Sequence, residues 1–252
     1  MIDIHCHILH NIDDGPKDIE ASLALCEMAY GNGIEKLIAT PHCECMADFN
    51  EFLQIRDARI EELRGETQKR GIFIDIYAGA EVFVNDDIFF AAALDKAALN
   101  AGRYLLVEFD FYNVSISRIL KYTEEIIKTG LVPIIAHAER FTFFQEDYEV
   151  INFIADRGAL FQINAGSLAG FGNREEFRLA YELALKNVAS FIATDAHSFG
   201  RPNDMLRMVR SFPPDISPRN LNRMLYTAPQ AVIDNQDLPD SVRGMVKRRR
   251  KY

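Results

Sequence analysis

Seven short apolar runs, each separated from the next by a longer stretch, constrain this chain more than any other feature. The runs are IDIH (2–5), KLIAT (36–40), FIDIYAGAEV (73–82), YLLVEF (104–109), VPIIAH (132–137), ALFQINA (159–165) and SFIATD (190–195). Three of the intervening stretches, KDIEASLALCEMAYGNG, EFLQIRDARIEELRGETQKRG and SISRILKYTEEIIKTG, carry apolar residues at spacings of three and four, the mark of a helix with one buried face. Helix stops are expected at glycines: Gly31 or Gly33, then Gly71, Gly130 and Gly158. Strands alternating with helices build βαβ units and a parallel sheet. Strands that are apolar nearly throughout fit a sheet covered on both faces. The turn after the first strand reads HCHILHNIDDG. It has neither GxGxxG nor GxxxxGK[ST], which disfavours an open nucleotide-binding sheet. No repeat, linker or shift in composition divides the chain, so residues 1–252 read as a single α/β domain. A short basic tail, about 240–252, ends in KRRRKY.

The strand ends are unusual. His5 and His7 close the first and His42 follows the second; Glu81 lies on the third. Glu108 ends the fourth, His137 the fifth, and Asp195 with His197 the seventh. Five of the six histidines and three carboxylates thus fall on the C-terminal edge of a parallel sheet, where barrel active sites assemble. Any one of them has an ordinary explanation. A lone histidine can be a structural hydrogen-bonder, and Asp195 could cap a following helix. Independent structural reasons would not gather eight such side chains on one rim. Residues i and i+2 of a strand share a face, so His5 and His7 can hold one cation together, as can Asp195 and His197. Mixed imidazole and carboxylate donors suit Mn, Fe or Zn. Asp14 could add a ninth ligand. Its neighbour Asp13 is indistinguishable from it at this level, and DDGP is also strong turn chemistry. Glu108 follows YLLV on a buried strand and needs a partner or a metal there.

Other chemistries fit less well. The net charge of −9 argues against general nucleic-acid binding. Four cysteines in 252 residues do not make a disulfide framework. Cysteine phosphatases need an arginine six residues after the nucleophile. The positions so related to Cys6, Cys26, Cys43 and Cys45 are Ile12, Asn32, Phe49 and Glu51. The Cys-Glu-Cys segment after His42 falls short of a closed zinc site. His10 has no evident partner and is expected to face a loop. RFTFF at 140–144 reads as core or as a pocket wall. No apolar run reaches the length of a membrane span, and there is no leader-like segment. A cytoplasmic protein is the expectation.

The motifs HxH, TPH, GAE, VEF, AHxER and TDAH, set in DIHCHILHNIDDGP, IIAHAERF and ATDAHSFGRP, resemble those of the PHP (polymerase and histidinol phosphatase) metallohydrolases. They are most similar to the PHP-type tyrosine-protein phosphatases of bacterial capsule and exopolysaccharide operons. The resemblance runs from Ile2 to about Ile233. It implies a distorted (β/α)7 barrel and a metal-dependent phosphomonoester hydrolase with three divalent ions, Mn foremost and Fe or Zn as alternatives. It places His5, His7, Glu81 and Asp195 on the first ion; Glu81, Glu108 and His137 on the second; and Asp14, His42 and His197 on the third. It implies Arg140 and Arg201 as phosphate binders. The implied partner is a phosphotyrosine-containing protein, the C-terminal tail of an autophosphorylated bacterial tyrosine kinase; an oligomer is compatible with it. Two departures stand out. Cys6 replaces a small residue such as serine, and is expected to turn away from the histidines and pack as an apolar group. CECMADF follows His42 where basic residues are common, which bears on substrate recognition. A histidinol-phosphate phosphatase or another PHP phosphoesterase is the alternative enzyme. A non-catalytic metal-binding regulatory protein is the alternative outside enzymes.

Overall fold

The computed structural model describes residues 1–44, 48–86, 94–111, 113–198 and 204–239. Arg201, Cys45 and the basic tail lie outside them. Every strand pair is parallel, and the strands form two sheets. One is ordered β1 (Ile2–Cys6), β2 (Lys36–Ala39), β4 (Asp75–Ala78). The other is ordered β3 (His42–Cys43), β5 (Glu81–Phe83), β6 (Tyr104–Glu108), β7 (Val132–Ile135), β8 (Leu160–Asn164), β9 (Ala189–Ala193).

Among the described residues nine strands appear where seven were expected, because the third expected strand is interrupted and a short extra strand follows the second. Pro41, which lacks an N–H, separates β2 from β3. Gly79 and Ala80 separate β4 from β5. Gly79 is there for lack of space: a Cβ would stand 2.7 Å from Leu99 and 2.9 Å from Ile38. The chain still runs on alongside its neighbour, with Gly79 N–H donating to Ala39 O and Glu81 N–H to Pro41 O. The outer ends of the two sheets meet through an isolated parallel bridge between Cys6 and Ala196. Asp195 N–H donates to His5 O and His7 N–H to Ala196 O at that seam.

The helices follow the apolar periodicity. The first, α1 (Ile19–Gly31), starts where the Asp18 carboxylate accepts from Ala21 N–H. Gly33 rather than Gly31 takes the left-handed conformation past its end, which settles that alternative. The long α2 (Phe49–Lys69) buries Phe49, Leu53, Arg56, Ile60, Leu63 and Thr67, a stripe at alternating spacings of four and three. Ser115 caps α3 (Ile116–Lys128).

One core cluster explains why the site sits where it does. Tyr104 and Leu106 of β6, Phe191 and Ala193 of β9, and Ile134 and Ala136 at β7 pack together with Ala228 and Val232 of a late helix. These are alternate residues, so each pair shares one strand face. Two residues further along the same faces come Glu108 and Asp195. The inner faces are therefore apolar at the N-terminal ends of the strands and polar at the C-terminal ends.

Candidate metal centre

Glu81 is at the middle of the polar end. It is fully buried at the start of β5, in register with His42 and Leu106 on either side. Its Oε1 lies 2.8 Å from His137 Nε2 and 3.4 Å from His5 Nε2. Its Oε2 lies 3.0 Å from His42 Nδ1 and 3.3 Å from His7 Nε2. Glu108 reaches His137 at 3.4 Å and His42 at 4.0 Å. Asp195 Oδ1 lies 3.6 Å from His5 Nε2 and 3.7 Å from His7 Nε2. On the solvent side, the Asp14 carboxylate is 3.2 Å from His197 Nε2 and 3.6 Å from His42 Nε2.

Three sets of donor atoms lie within 4.8 Å of one another among the described residues: His5, His7, Glu81; His42, Glu81, Glu108; and His7, Asp14, His42, His197. All nine side chains expected from the strand ends and the DDGP turn thus meet in one place. The grouping differs from the expected one: His7 also joins the outer set, His42 joins Glu81 and Glu108, and His137 and Asp195 reach these groups without belonging to one of the three sets.

Backbone conformation helps to aim two of them. His137 has φ 30° and Asp195 φ 53°, the left-handed region that costs a non-glycine residue on the order of 1–3 kcal/mol. Asp195 is past the end of β9 and does not cap a helix. Its left-handed turn brings the carboxylate back to His5 and His7, and His197 Nδ1–H donates to Asp195 O at 2.9 Å.

Asp13 and Asp14 have different jobs. The Asp13 carboxylate is buried and accepts from His7 Nδ1 at 2.7 Å, from Gly15 N–H at 2.9 Å and from His42 N–H at 3.1 Å. The Asp14 side chain is 63% exposed and faces the two outer imidazoles. Sequence reasoning missed Asp13 as an orienting group, and it also missed Gln162 and Asn164. Gln162 accepts from His5 Nδ1 at 3.0 Å and from His137 N–H at 2.8 Å. Asn164 donates to Asp195 Oδ2 at 2.9 Å. Polar residues at alternate positions of an otherwise apolar strand were the available signal.

The donor set fits cations. His5 and His7 each use Nδ1 toward an acceptor, Gln162 or Asp13, so each ring carries its proton there. Their Nε2 atoms then face one another at 3.2 Å with lone pairs opposed, an arrangement that needs a proton or a metal ion between them. Burial disfavours charge on both rings. The nearby Glu81 and Asp195 carboxylates outweigh it for His5, pushed up to about 9. The Asp13 and Glu81 hydrogen bonds do the same for His7, pushed up to about 10. Burial opposes ionisation of Glu81 too, yet the surrounding histidines hold its carboxyl well below the usual range. Burial and the Glu81 charge push Glu108 up.

The remaining expectations resolve as follows. Arg140 rests at the rim, with Nη1 3.4 Å from Asp195 Oδ2 and its guanidinium 4.9 Å from the Phe111 ring. Cys6 turns away from the histidines, is buried, and donates to Ile38 O. Cys6 and Cys26 are free thiols. His10 does not face a loop: it is 5% exposed, with Nε2 3.4 Å from Glu62 of α2. The sequence spacing concealed that partner. Phe141 and Phe144 are core, while Phe141 also stands 6.0 Å from the His137 ring. A cavity of about 720 Å³ opens beside Asp14 and His42, walled by Glu44, Asp48, Glu51 and Phe52 among others. The segment expected to lack basic residues therefore gives this cavity an acidic wall.

The family model for capsular polysaccharide synthesis, CpsB/CapC, matches residues 1–234. The chain belongs to the CpsB/CapC family. It is 32% identical over 203 residues to the tyrosine-protein phosphatase YwqE of Bacillus subtilis, covering 79% of this chain and 78% of that protein. It is 27% identical over 244 residues to the tyrosine-protein phosphatase CpsB of Streptococcus agalactiae, covering 93% and 99%. A crystal structure from work on B. subtilis YwqE and Streptococcus pneumoniae CpsB, described as unique metal-dependent tyrosine phosphatases, superposes with a TM-score of 0.84 at 27% identity, covering 98% of this chain and all of the other. The histidinol phosphate phosphatase of Lactococcus lactis shares the fold, with a TM-score of 0.53 at 14% identity over 83% of this chain and 91% of the other. As a CpsB/CapC member the chain has the α/β architecture of that group. No helix among the described residues is long and apolar enough to cross a membrane.

Proposed function

We propose that this CpsB/CapC protein is a metal-dependent protein-tyrosine phosphatase. The observation that carries the reading is the convergence of four imidazoles on the two oxygens of buried Glu81, with Asp195, Glu108, His197 and Asp14 around them.

In this reading three divalent ions occupy the centre, Mn foremost and Fe or Zn as alternatives. His5, His7, Glu81 and Asp195 hold one. Glu81, Glu108 and His137 hold the second, and Asp14, His42 and His197 the third. Such ions, when bound, offset the charge of a phosphate ester and acidify water so that it can act as the nucleophile near neutral pH. The protein's own part is positioning. Glu81 sets the inner ligands around one point, and Asp13 and Gln162 hold the His7 and His5 rings so that Nε2 of each faces inward. Arg140, pinned between Phe111 and Asp195, presents N–H donors at the rim for the non-bridging phosphate oxygens, a paired geometry that lysine does not reproduce. Arg201 supplies further donors. The substrate is a phosphotyrosine-containing protein, the C-terminal tail of an autophosphorylated bacterial tyrosine kinase, met in the cytoplasm. Relatives named as tyrosine-protein phosphatases support this over histidinol phosphate.

Purified protein would be stripped with a chelator, reloaded with Mn, and given a phosphotyrosyl peptide, histidinol phosphate and a phosphodiester. Turnover of the phosphotyrosyl peptide alone, and only after reloading, is expected. Faster turnover of histidinol phosphate would overturn the reading. So would peptide hydrolysis that survives complete metal removal.

A further inference from the structure

We infer that Gln162 and Asn164 form an amide relay that sets the histidine tautomer and the carboxylate orientation of the inner metal site, and that Gln162 is its key positioning residue. The inference rests on the metal-centre reading above.

Both residues lie on one face of β8, two apart. Gln162 is fully buried and Asn164 nearly so. Amides buried to this degree require partners for their polar atoms, and here the partners determine every orientation. A backbone N–H can only donate, so the Gln162 atom 2.8 Å from His137 N is its oxygen. The same oxygen is 3.0 Å from His5 Nδ1, so that nitrogen carries the ring proton and Nε2 keeps its lone pair. Both lone pairs of Oε1 are then used. The Gln162 NH₂ group faces Asn164 at 2.8 Å, so that atom is Oδ1. Asn164 must therefore turn its NH₂ to Asp195 Oδ2 at 2.9 Å, leaving Oδ1 of Asp195 toward His5 and His7. One side chain thus anchors the His5 ring and the His137 backbone, which are 132 residues apart in the chain and whose Nε2 atoms both approach Glu81 Oε1. Through Asn164 it also sets Asp195.

Partners that orient metal-bound imidazoles change metal affinity or activity by about 10–100-fold when removed. The test uses the full chain and zinc. Zinc affinity would be measured by chelator competition for the wild type, Gln162→Leu and Gln162→Glu, with thermal unfolding of each metal-free protein alongside. Gln162→Leu should lose roughly 10–100-fold in zinc affinity. Gln162→Glu keeps the acceptor for His5 and His137 but loses the NH₂ donor to Asn164, so it should keep the His5 proton on Nδ1 and lose less zinc affinity than Gln162→Leu. Histidine side-chain ¹⁵N spectra of zinc-loaded wild type should show His5 protonated on Nδ1. Gln162→Leu binding zinc as tightly as the wild type, or a His5 proton on Nε2, would overturn the inference. If Gln162→Leu fails to fold, a zinc-loaded Gln162→Glu with the His5 proton on Nε2, or with unchanged zinc affinity, would do the same. Wild type that binds no zinc would instead sink the metal-centre reading itself.

Discussion

Glu81 Oε1 and His137 Nε2 stand 2.8 Å apart at the ends of two strands that are not neighbours, since β6 lies between β5 and β7. Glu81 therefore reaches across the top of the sheet, and its other oxygen meets His42 at 3.0 Å. Glu81→Gln keeps the shape but removes the charge and one acceptor. Because the residue belongs to two of the three donor groups, we expect at least two ions to be lost together and activity to fall by about 10³-fold or more. Metal-to-protein ratios with a phosphotyrosyl-peptide assay would check this. Loss of activity with full metal content would count against Glu81 serving two of the donor groups.

Asp13 and Asp14 should respond differently. Asp13→Asn weakens the hold on His7 Nδ1, and an effect of about 10–100-fold on metal affinity is expected. Asp14→Asn should affect only the outer ion, the one reached by His42 and His197. Isothermal titration with Mn would separate a lost site from weakened ones.

Arg140→Ala should leave metal content unchanged and lower kcat/KM for the peptide by about 10²-fold, the scale of losing a charge-assisted phosphate clamp. Arg140→Lys should restore little of it. Metal analysis and steady-state kinetics on the same samples decide the point, and parallel loss of metal would argue for a structural role.

The metal-free protein should lose stability as pH rises from about 6.5. Histidine in an unfolded chain titrates near 6.5, whereas burial notwithstanding, the carboxylates around His5 and His7 push them up to about 9 and about 10. The folded state then binds more protons across that window, and its advantage is complete below 6.5 and lost by about 10. Metal ions require the neutral rings, so metal affinity should rise over the same range. Calorimetry with and without chelator at several pH values would test both signs. A metal-free melting temperature that climbs from pH 6.5 to 10 would contradict the first.

Gly15→Ala tests the turn that aims Asp13. A Cβ there would stand 2.6 Å from His7 O and 2.9 Å from Asp13 Oδ1. Its steric cost should be about 1–3 kcal/mol, the usual range for forcing an extra carbon into a filled space. Because the clash falls on His7 itself, metal affinity should fall along with the chemical-denaturation midpoint.

Much of this site could be read before any coordinates. The apolar runs had to be strands covered on both faces, and a parallel arrangement puts all their C-terminal ends on one edge. Histidines and acids at those ends were therefore neighbours in space whatever the details of closure. Residue type and local period carry that information, since both depend on a few adjacent residues. The folded chain decided what depends on distant ones. It broke the third expected strand at Gly79–Ala80, added a short strand after Pro41, paired His10 with Glu62, and told Asp13 from Asp14 by burying one and exposing the other. It gave Gln162 and Asn164 their work by setting β8 against a histidine 157 positions earlier in the chain. A hydrogen bond takes its meaning from the atom it meets, and for these side chains that atom comes from another strand.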